Sequence, residues 1–386
     1  MTRHRASPAL DPVAWAHVNT AAIAQNLAWL RSRLHGAVAE PAHPPRLWAV
    51  VKADAYGHGL AHVLQALHDA DGICVGDLHE AHTARHHGWR GPVLVLSVWG
   101  VRPNDLCDPA LGELHVVVDD DATLHLLEAL PPGRPAPCAW LRHAGCLHSL
   151  GFADAEYARA HERLHACAQA GVLAGVGHLL HYASAEDPEA LADERAAFLA
   201  ATAGLPGPRC TGNSAALCGS PHTVAGDDWA RCGLALYGAS ALPGVTGPEL
   251  GLQPAMSLHA RLVAVQTVRA GEPVGYGGSY RAPHDTRIGV AGVGYGHGIP
   301  RNLWQRGMAL VGRPCRRVPL AGRVTMDCLT IDLGPHATEG AGDIVTLWGH
   351  GADSACLPVE HAAAACDTIA ADLLTGLTAR MPLMAS

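Results

Sequence analysis

From about residue 46 to residue 240 the chain alternates short apolar or β-branched runs with Ala- and Leu-rich stretches, and nothing else in it constrains the fold as tightly. Runs of this kind are buried parallel strands, and the stretches between them are helices that carry the chain back over the sheet. The candidate strands are RLWAVVKA, GICVGD, PVLVLS, ELHVVVDD, CAWLRHA, GVGHLLHY, RCTGNS and RCGLALYG. Eight such units close a (β/α)8 barrel, and the intervening stretches over residues 80–88 and 153–171 stop at glycine as outer helices do. After ALPGVTGPELGLQP the texture changes: RLVAVQTV, RIGVAGVGYG, CRRVPLAGRVTM, CLTIDL and DIVTLWG are short, β-rich and punctuated by Gly, Pro or Asp.

The expected fold class is therefore α/β, a (β/α)8 barrel of the TIM type over residues 12–248, followed by a mostly antiparallel β domain over residues 249–386 that the N-terminal segment 1–11 could join. A length of 386 residues fits two cores better than one. ACDTIAADLLTGLTARMP reads as a short closing helix. A formal net charge of -8 with no run of five like charges leaves no electrostatic footprint for nucleic acid or an anionic membrane, so a small molecule is the expected partner. The start, MTRHRASPALDPVAWAHV, lacks the apolar core of a signal peptide and no apolar run of 18 residues follows, so the protein is expected in the cytoplasm. Twelve cysteines without a CxxC pair are expected to be reduced, mostly structural thiols.

Lys52 ends the first barrel strand in AVVKADAYGHG, where an apolar run delivers one cation to the C-terminal mouth, the end at which barrel active sites lie. Desolvation there would favour a neutral amine able to form a Schiff base. Position alone leaves a lysine snorkelling to water equally open. Asn213-Ser214 and Arg231-Cys232-Gly233-Leu234 end the seventh and eighth strands, whose loops form the usual phosphate cradle of a barrel. GNSAA by itself reads as a turn followed by a helix cap.

The motif VKADAYGHG resembles the alanine racemase family and its wider group of barrel-type pyridoxal-phosphate enzymes. The resemblance continues in family order through WAHVNTAAIAQNLAWLRSRL, HYASAED, GNSAA, RCGLALYG, GYGGSY, GVGYGHGIPR, GRVTMD and DLLTGLTARMP. It implies pyridoxal 5'-phosphate as cofactor, covalently carried by Lys52, with Tyr56, Asn213, Ser214, Gly233 and Leu234 around the phosphate. It further implies that Arg231 donates to the ring nitrogen, keeping it unprotonated and so suppressing transamination, and that His181 stacks on the ring. Racemisation needs a proton removed from one face of Cα and returned to the other, hence two bases. The resemblance makes these Lys52 and Tyr276, the tyrosine entering from the other subunit of a head-to-tail homodimer, with Met326 and Asp327 at the substrate and Tyr295 lining the entrance.

Two segments depart from the family pattern. Where the family has a lysine and, seven residues on, an arginine, LRHAGCLHSLGF carries Arg142 and Ser149; His148, His143 and Arg142 are the candidate substitutes. Where the last helix has a tyrosine followed by glutamate, this chain has Ala371 and Asp372, and His297 stands where an aspartate is usual. Loss of the tyrosine widens the substrate pocket, which predicts activity on serine or bulkier amino acids matching or exceeding that on alanine. The alternatives are a decarboxylase of the same fold group, a cofactor-binding protein with little catalysis, and, from the HExxH spacing of His161 to His165, a zinc protease.

Overall fold

The computed structural model describes residues 11–37, 44–132, 136–353 and 355–386. They gather into two compact units, one running from Asn19 to Ala255 and the other joining the chain up to Val18 to Met256–Ser386. The first described strand, β1 (Ala14–Val18), belongs to the latter.

In the unit from Asn19, β2 (Arg46–Val50), β3 (Gly72–Val75), β4 (Val93–Val95), β5 (Leu114–Val118), β6 (Cys138–Arg142), β7 (Gly175–Leu179), β8 (Arg209–Cys210) and β9 (Trp229–Cys232) pair in parallel, each with the next. β9 returns to β2, closing the barrel. All eight expected strands are present. Side chains alternate in and out along a strand, and one buried cluster identifies the inward set: Trp48, Cys74, Leu94, Val117, Trp140, Leu179, Cys210 and Trp229. Three indoles fill most of that layer, Trp48 and Trp229 stacked with centroids 4.0 Å apart. Their bulk is accommodated by glycine on the neighbouring strands, since a Cβ at Gly72 would lie 2.2 Å from the Trp48 ring and one at Gly177 2.7 Å from Trp140.

The other unit is a nine-stranded sheet. β10 (Met256–Val268), at 13 residues the longest strand, pairs antiparallel with β1, with β13 (Thr286–Ala291) and with β17 (Ile344–His350). Register shifts at Leu258/His259 and Leu262/Ala264 let it serve both sides of a bend. A short hairpin of β11 (Pro273–Val274) and β12 (Tyr280–Arg281) brackets Tyr276. β14 (Met308–Val311) and β15 (Arg316–Pro319) extend one edge of the sheet, β16 (Leu329–Gly334) pairs with β13, β18 (Cys356–Leu357) with β17, and β19 (Leu383–Ala385) with β1.

Two sequence expectations need correction. Residues 12–18 do not belong with the barrel: Ala14–Val18 pairs with β10 from Ala14↔Ala260 to Val18↔Met256, and the units divide at 255/256 rather than 248/249. The burial of Ala14–Val18 alternates, the mark of a strand with one covered face, whereas strands inside a barrel wall are buried on both. Residues 1–10 of the expected N-terminal segment lie outside the described residues. Of the stretch 365–382 expected as a closing helix, only Ala370–Thr375 is a helix beyond Ala365; a separate short helix, Val359–Ala365, ends where the stretch begins, Asp367 at φ 56° lies between the two, and the chain then returns to the sheet as β19. No described helix is long and apolar enough to cross a membrane. All twelve cysteines are free thiols.

Candidate active site

Two residues beyond the buried indole layer, and on β2 two beyond the further cluster member Val50, the inward positions at the C-terminal ends of the barrel strands are Lys52, Gly76, Leu96, Asp119, Arg142, His181, Gly212 and Arg231. The barrel mouth is thus floored by three cations, a histidine and one carboxylate. Arg231 is 5% exposed, and among the described residues it has no carboxylate within ion-pair distance. Its Nη1 donates to the Cys210 carbonyl at 3.0 Å, and its Nη2 to the Leu180 carbonyl at 2.8 Å and to His181 Nδ1 at 3.3 Å. An arginine can only donate, so His181 Nδ1 accepts and its proton sits on Nε2. Burial first, then the charges of Arg231, Arg142 and Lys52, push the His181 pKa down to about 3, which keeps the ring neutral.

Lys52 opens a turn of unusual hand. Ala53, Asp54, Ala55 and Tyr56 have φ of 55°, 51°, 57° and 51°, four L-residues in the left-handed region at roughly 1–2 kcal/mol each. The surroundings hold them there. Glu80 accepts from Ala53 N and Gly76 N, both at 2.7 Å; Asp54 Oδ1 accepts from Leu60 N at 2.7 Å; and the buried His58 ring donates through Nδ1 to the Tyr56 and Ala55 carbonyls at 2.9 and 3.1 Å. Tyr237 stacks on both Tyr56 and His58 and donates to the Val50 carbonyl at 2.9 Å. Lys52 itself is exposed, so the desolvation expected from its strand-end position is not what the barrel provides.

Tyr56 reaches the Gly233 loop, where a Cβ on Gly233 would lie 2.7 Å from its hydroxyl. Burial raises the Tyr56 pKa to about 12, so the phenol remains a hydrogen-bond donor. Ser214 Oγ accepts from Gly233 N at 3.0 Å and Ala235 N at 3.3 Å, leaving its own proton to donate. Asn213 is the N-cap of the helix Ser214–Gly219, its side chain accepting from Ala216 N at 3.0 Å; GNSAA is a helix cap as well as part of this loop cluster. Tyr56 and Ser214 therefore both meet the Gly233 loop, which follows Arg231 in the chain.

Of the three substitutes considered for the missing family arginine, only Arg142 is an inward mouth position. His143 is turned away, its Nε2 2.6 Å from Asp154 and its Nδ1 accepting from Gly145 N at 3.1 Å; His148 is exposed at φ 50°, and Ser149 is exposed. Asp119 was not singled out in the sequence, yet the period-two rule that locates Lys52 and Arg231 also locates it. Its buried Oδ2 and the buried Nε of Arg142 have no protein hydrogen-bond partner. Burial and then Asp120 raise the Asp119 pKa, opposed by Arg142.

The sheet unit assembles its candidate residues on Gly322–Cys328. Tyr276 is 67% exposed in a turn where Gly275, Gly277 and Gly278 all have positive φ, and a Cβ on Gly277 would lie 3.7 Å from Arg323 Nη1. Tyr295 N donates to the Thr325 carbonyl at 2.9 Å and Gly296 N to the Met326 carbonyl at 2.8 Å, bringing Tyr295 and Met326 side by side. Asp327 pairs with Arg380 at 2.7 Å, and His297 Nδ1 accepts from Gly294 N at 3.2 Å. Arg323 and Arg380 were missed in the sequence because neither lies on a periodic face.

The HExxH helix is not a metal site: His161 stacks on His165 and on His178 with interplanar angles of 12°, and its Nε2 faces the Pro206 carbonyl at 2.9 Å. Parallel rings do not converge lone pairs on one ion.

Residues 18–241 match the family model for the alanine racemase N-terminal domain and residues 255–385 that for the alanine racemase C-terminal domain. This chain belongs to the alanine racemase family. It is 39% identical over 327 residues to an alanine racemase of Shewanella loihica, covering 83% of this chain and 86% of that one. Among solved structures it resembles the biosynthetic alanine racemase of Pseudomonas aeruginosa, with a TM-score of 0.86, 33% identity and coverage of 97% of this chain and 100% of that one. It also resembles the alanine racemase of D-cycloserine-producing Streptomyces lavendulae, with a TM-score of 0.82, 29% identity and 98% of each chain covered. As a family member the protein is an amino-acid racemase, which displaces the decarboxylase and binding-protein alternatives.

Proposed function

We propose that this alanine racemase family member interconverts L- and D-amino acids with pyridoxal 5'-phosphate, using Lys52 as base on one face of the substrate Cα and Tyr276 of the partner subunit as base on the other. The observation that carries the reading is the barrel mouth, where a primary amine at Lys52 and a buried, carboxylate-free guanidinium at Arg231 flank a cradle of hydroxyl and N–H donors. That donor set fits the cofactor. Tyr56 O–H, Ser214 O–H and the Gly233–Leu234 loop suit a phosphate dianion, with Asn213 holding the helix start beside it, and the cradle is one that a side chain at 233 would fill. Arg231 suits an unprotonated ring nitrogen, because a guanidinium has no proton acceptor to offer it. When bound, the cofactor withdraws electron density from the substrate Cα and so acidifies its proton.

The chain's own groups do the rest. Lys52 takes or returns the proton for the D-enantiomer and Tyr276 for the L-enantiomer, so each is the other's conjugate partner in a full turnover. Met326 through its backbone N–H and Arg142 through its side chain bind the substrate carboxylate, and Asp327, held by Arg380, orders that strand end while Tyr295 lines the approach. The partner contribution of Tyr276 implies a homodimer with two composite sites.

Alanine, the substrate in the names of the relatives, is the first substrate to test. Ala371 and Ser149 replace larger family side chains, and serine should turn over at a rate comparable with alanine. The cofactor-loaded protein is incubated with single L-amino acids in deuterated water, and optical rotation and Cα exchange are followed. Loss of rotation with deuterium incorporation supports the reading. Release of carbon dioxide, or exchange without racemisation, would sink it.

A further inference from the structure

The left-handed turn between Lys52 and Tyr56 points to a residue that the racemase reading leaves unused. In a helix of either hand, residues i and i+4 come to the same side, so the turn presents the Lys52 amine and the Tyr56 hydroxyl to one space. Its C-terminal end has its own fastenings, Asp54 to Leu60 N and His58 to two carbonyls. Its start, the peptide next to Lys52, has one side-chain fastening: Glu80 Oε1 accepts from Ala53 N, while Oε2 accepts from Gly76 N at the end of β3, both at 2.7 Å. Glu80 is itself placed, since its backbone N–H donates to the N-cap Asp77 of the helix Leu78–His86 at 2.9 Å. The close fit extends to Gly76, where a Cβ would lie 3.2 Å from Glu80 Oε2 and 3.6 Å from Lys52 Cβ.

We propose that Glu80 is a positioning residue whose carboxylate, shared between Ala53 and Gly76, holds the start of the left-handed turn and thereby sets the spacing from the Lys52 amine to the Tyr56 hydroxyl. The proposal rests on the reading that Lys52 carries pyridoxal 5'-phosphate and Tyr56 holds its phosphate. Its consequence is a selective one. A ligand gripped at both ends depends on the spacing, whereas one gripped only at the aldehyde does not. Both carboxylate oxygens accept, so a glutamine, which must aim an NH2 at one of the two N–H donors, breaks half the clamp and an alanine breaks all of it.

The experiment titrates the cofactor-free protein with pyridoxal 5'-phosphate and, separately, with pyridoxal, which has the same aldehyde and no phosphate. Binding is read by absorbance, and the attached lysine is identified by borohydride reduction and peptide mass. The parent should prefer the phosphate-bearing ligand. Glu80→Ala should lose at least ten-fold of that preference with pyridoxal affinity held within two-fold, and Glu80→Gln should lose about a third as much or more. Equal weakening of both ligands, or unchanged preference in both variants, overturns the role of Glu80. Should Glu80→Ala fail to fold, Glu80→Gln decides alone by the same ratio. A parent without phosphate preference or without a label on Lys52 overturns the underlying reading, and this shows before any substitution is made.

Discussion

The two halves of the chemistry are built in opposite ways. On the barrel, Lys52 sits at the head of a turn fastened by Glu80, Asp54, His58 and Tyr237, above a layer of packed indoles and beside a buried Arg231. On the sheet unit, Tyr276 stands 67% exposed in a glycine turn whose neighbours are Gly322, Arg323 and Pro273. Strain is stored at a site only when its surroundings over-determine it, and the barrel can hold four left-handed residues because Glu80, Asp54 and His58 fasten both ends of the turn. The tyrosine turn carries its positive φ values on glycine, where they cost almost nothing. One candidate base is preorganised by its own unit; the other is exposed on a turn of glycines, as the proposed composite site requires.

The largest effects should come from the bases themselves. Lys52→Ala should abolish racemisation and leave no cofactor attached after borohydride reduction, read by activity and intact mass. Tyr276→Phe should lower turnover by roughly 10²- to 10⁴-fold, the usual contribution of a positioned acid–base group. Because Tyr276 is exposed, its stability cost should stay within about 0.5 kcal/mol by urea unfolding. A large stability loss there would break the contrast between the two halves.

The next effect concerns acid. Burial pulls the pKa of His58 and His178 down to about 4 and that of His181 to about 3 in the barrel unit, while His259 in the sheet unit falls to about 4. Each binds a proton more readily unfolded than folded, so its stabilisation is fully present above pH 6.5 and is lost as pH falls towards the folded value. A shift of this size is worth about 3 kcal/mol per fully buried group. Three such groups against one predict that the barrel loses its structure first between pH 6.5 and 4, measurable by hydrogen exchange resolved by peptide. Loss beginning in the sheet unit would contradict this.

The smallest effect sharpens the substrate side. Ala371→Tyr, which introduces the bulk expected there from the family pattern, should lower kcat/KM for serine relative to alanine by roughly ten-fold, the scale on which one misfitting group in an apolar pocket discriminates. An unchanged ratio would remove Ala371 from the specificity argument.

Much of the barrel was legible because its strands are buried on both faces and so read as plain apolar runs. The same runs located Lys52, Arg231 and His181 at the mouth. Asp119 escaped notice although it stands two residues beyond Val117, because an acidic residue after a strand looks like an ordinary turn or cap, and Asp120 beside it is one. Ala14–Val18 reads as part of the barrel because chain order places it just before the first barrel strand, while its pairing with β10 is set by contacts more than 230 residues away. The left-handed turn had no signature at all: Ala-Asp-Ala-Tyr contains no glycine, and only the tertiary clamps explain its hand.

That turn also sets a rule for chemical remodelling of the chain. Residues 53–56 follow the mirror-image path, where L-side chains crowd the following carbonyl and D-side chains do not. A semisynthetic chain with D-alanine at positions 53 and 55 would relieve that backbone crowding, so that a protein devoted to inverting amino acids contains a segment of backbone better suited to the hand it is not built from.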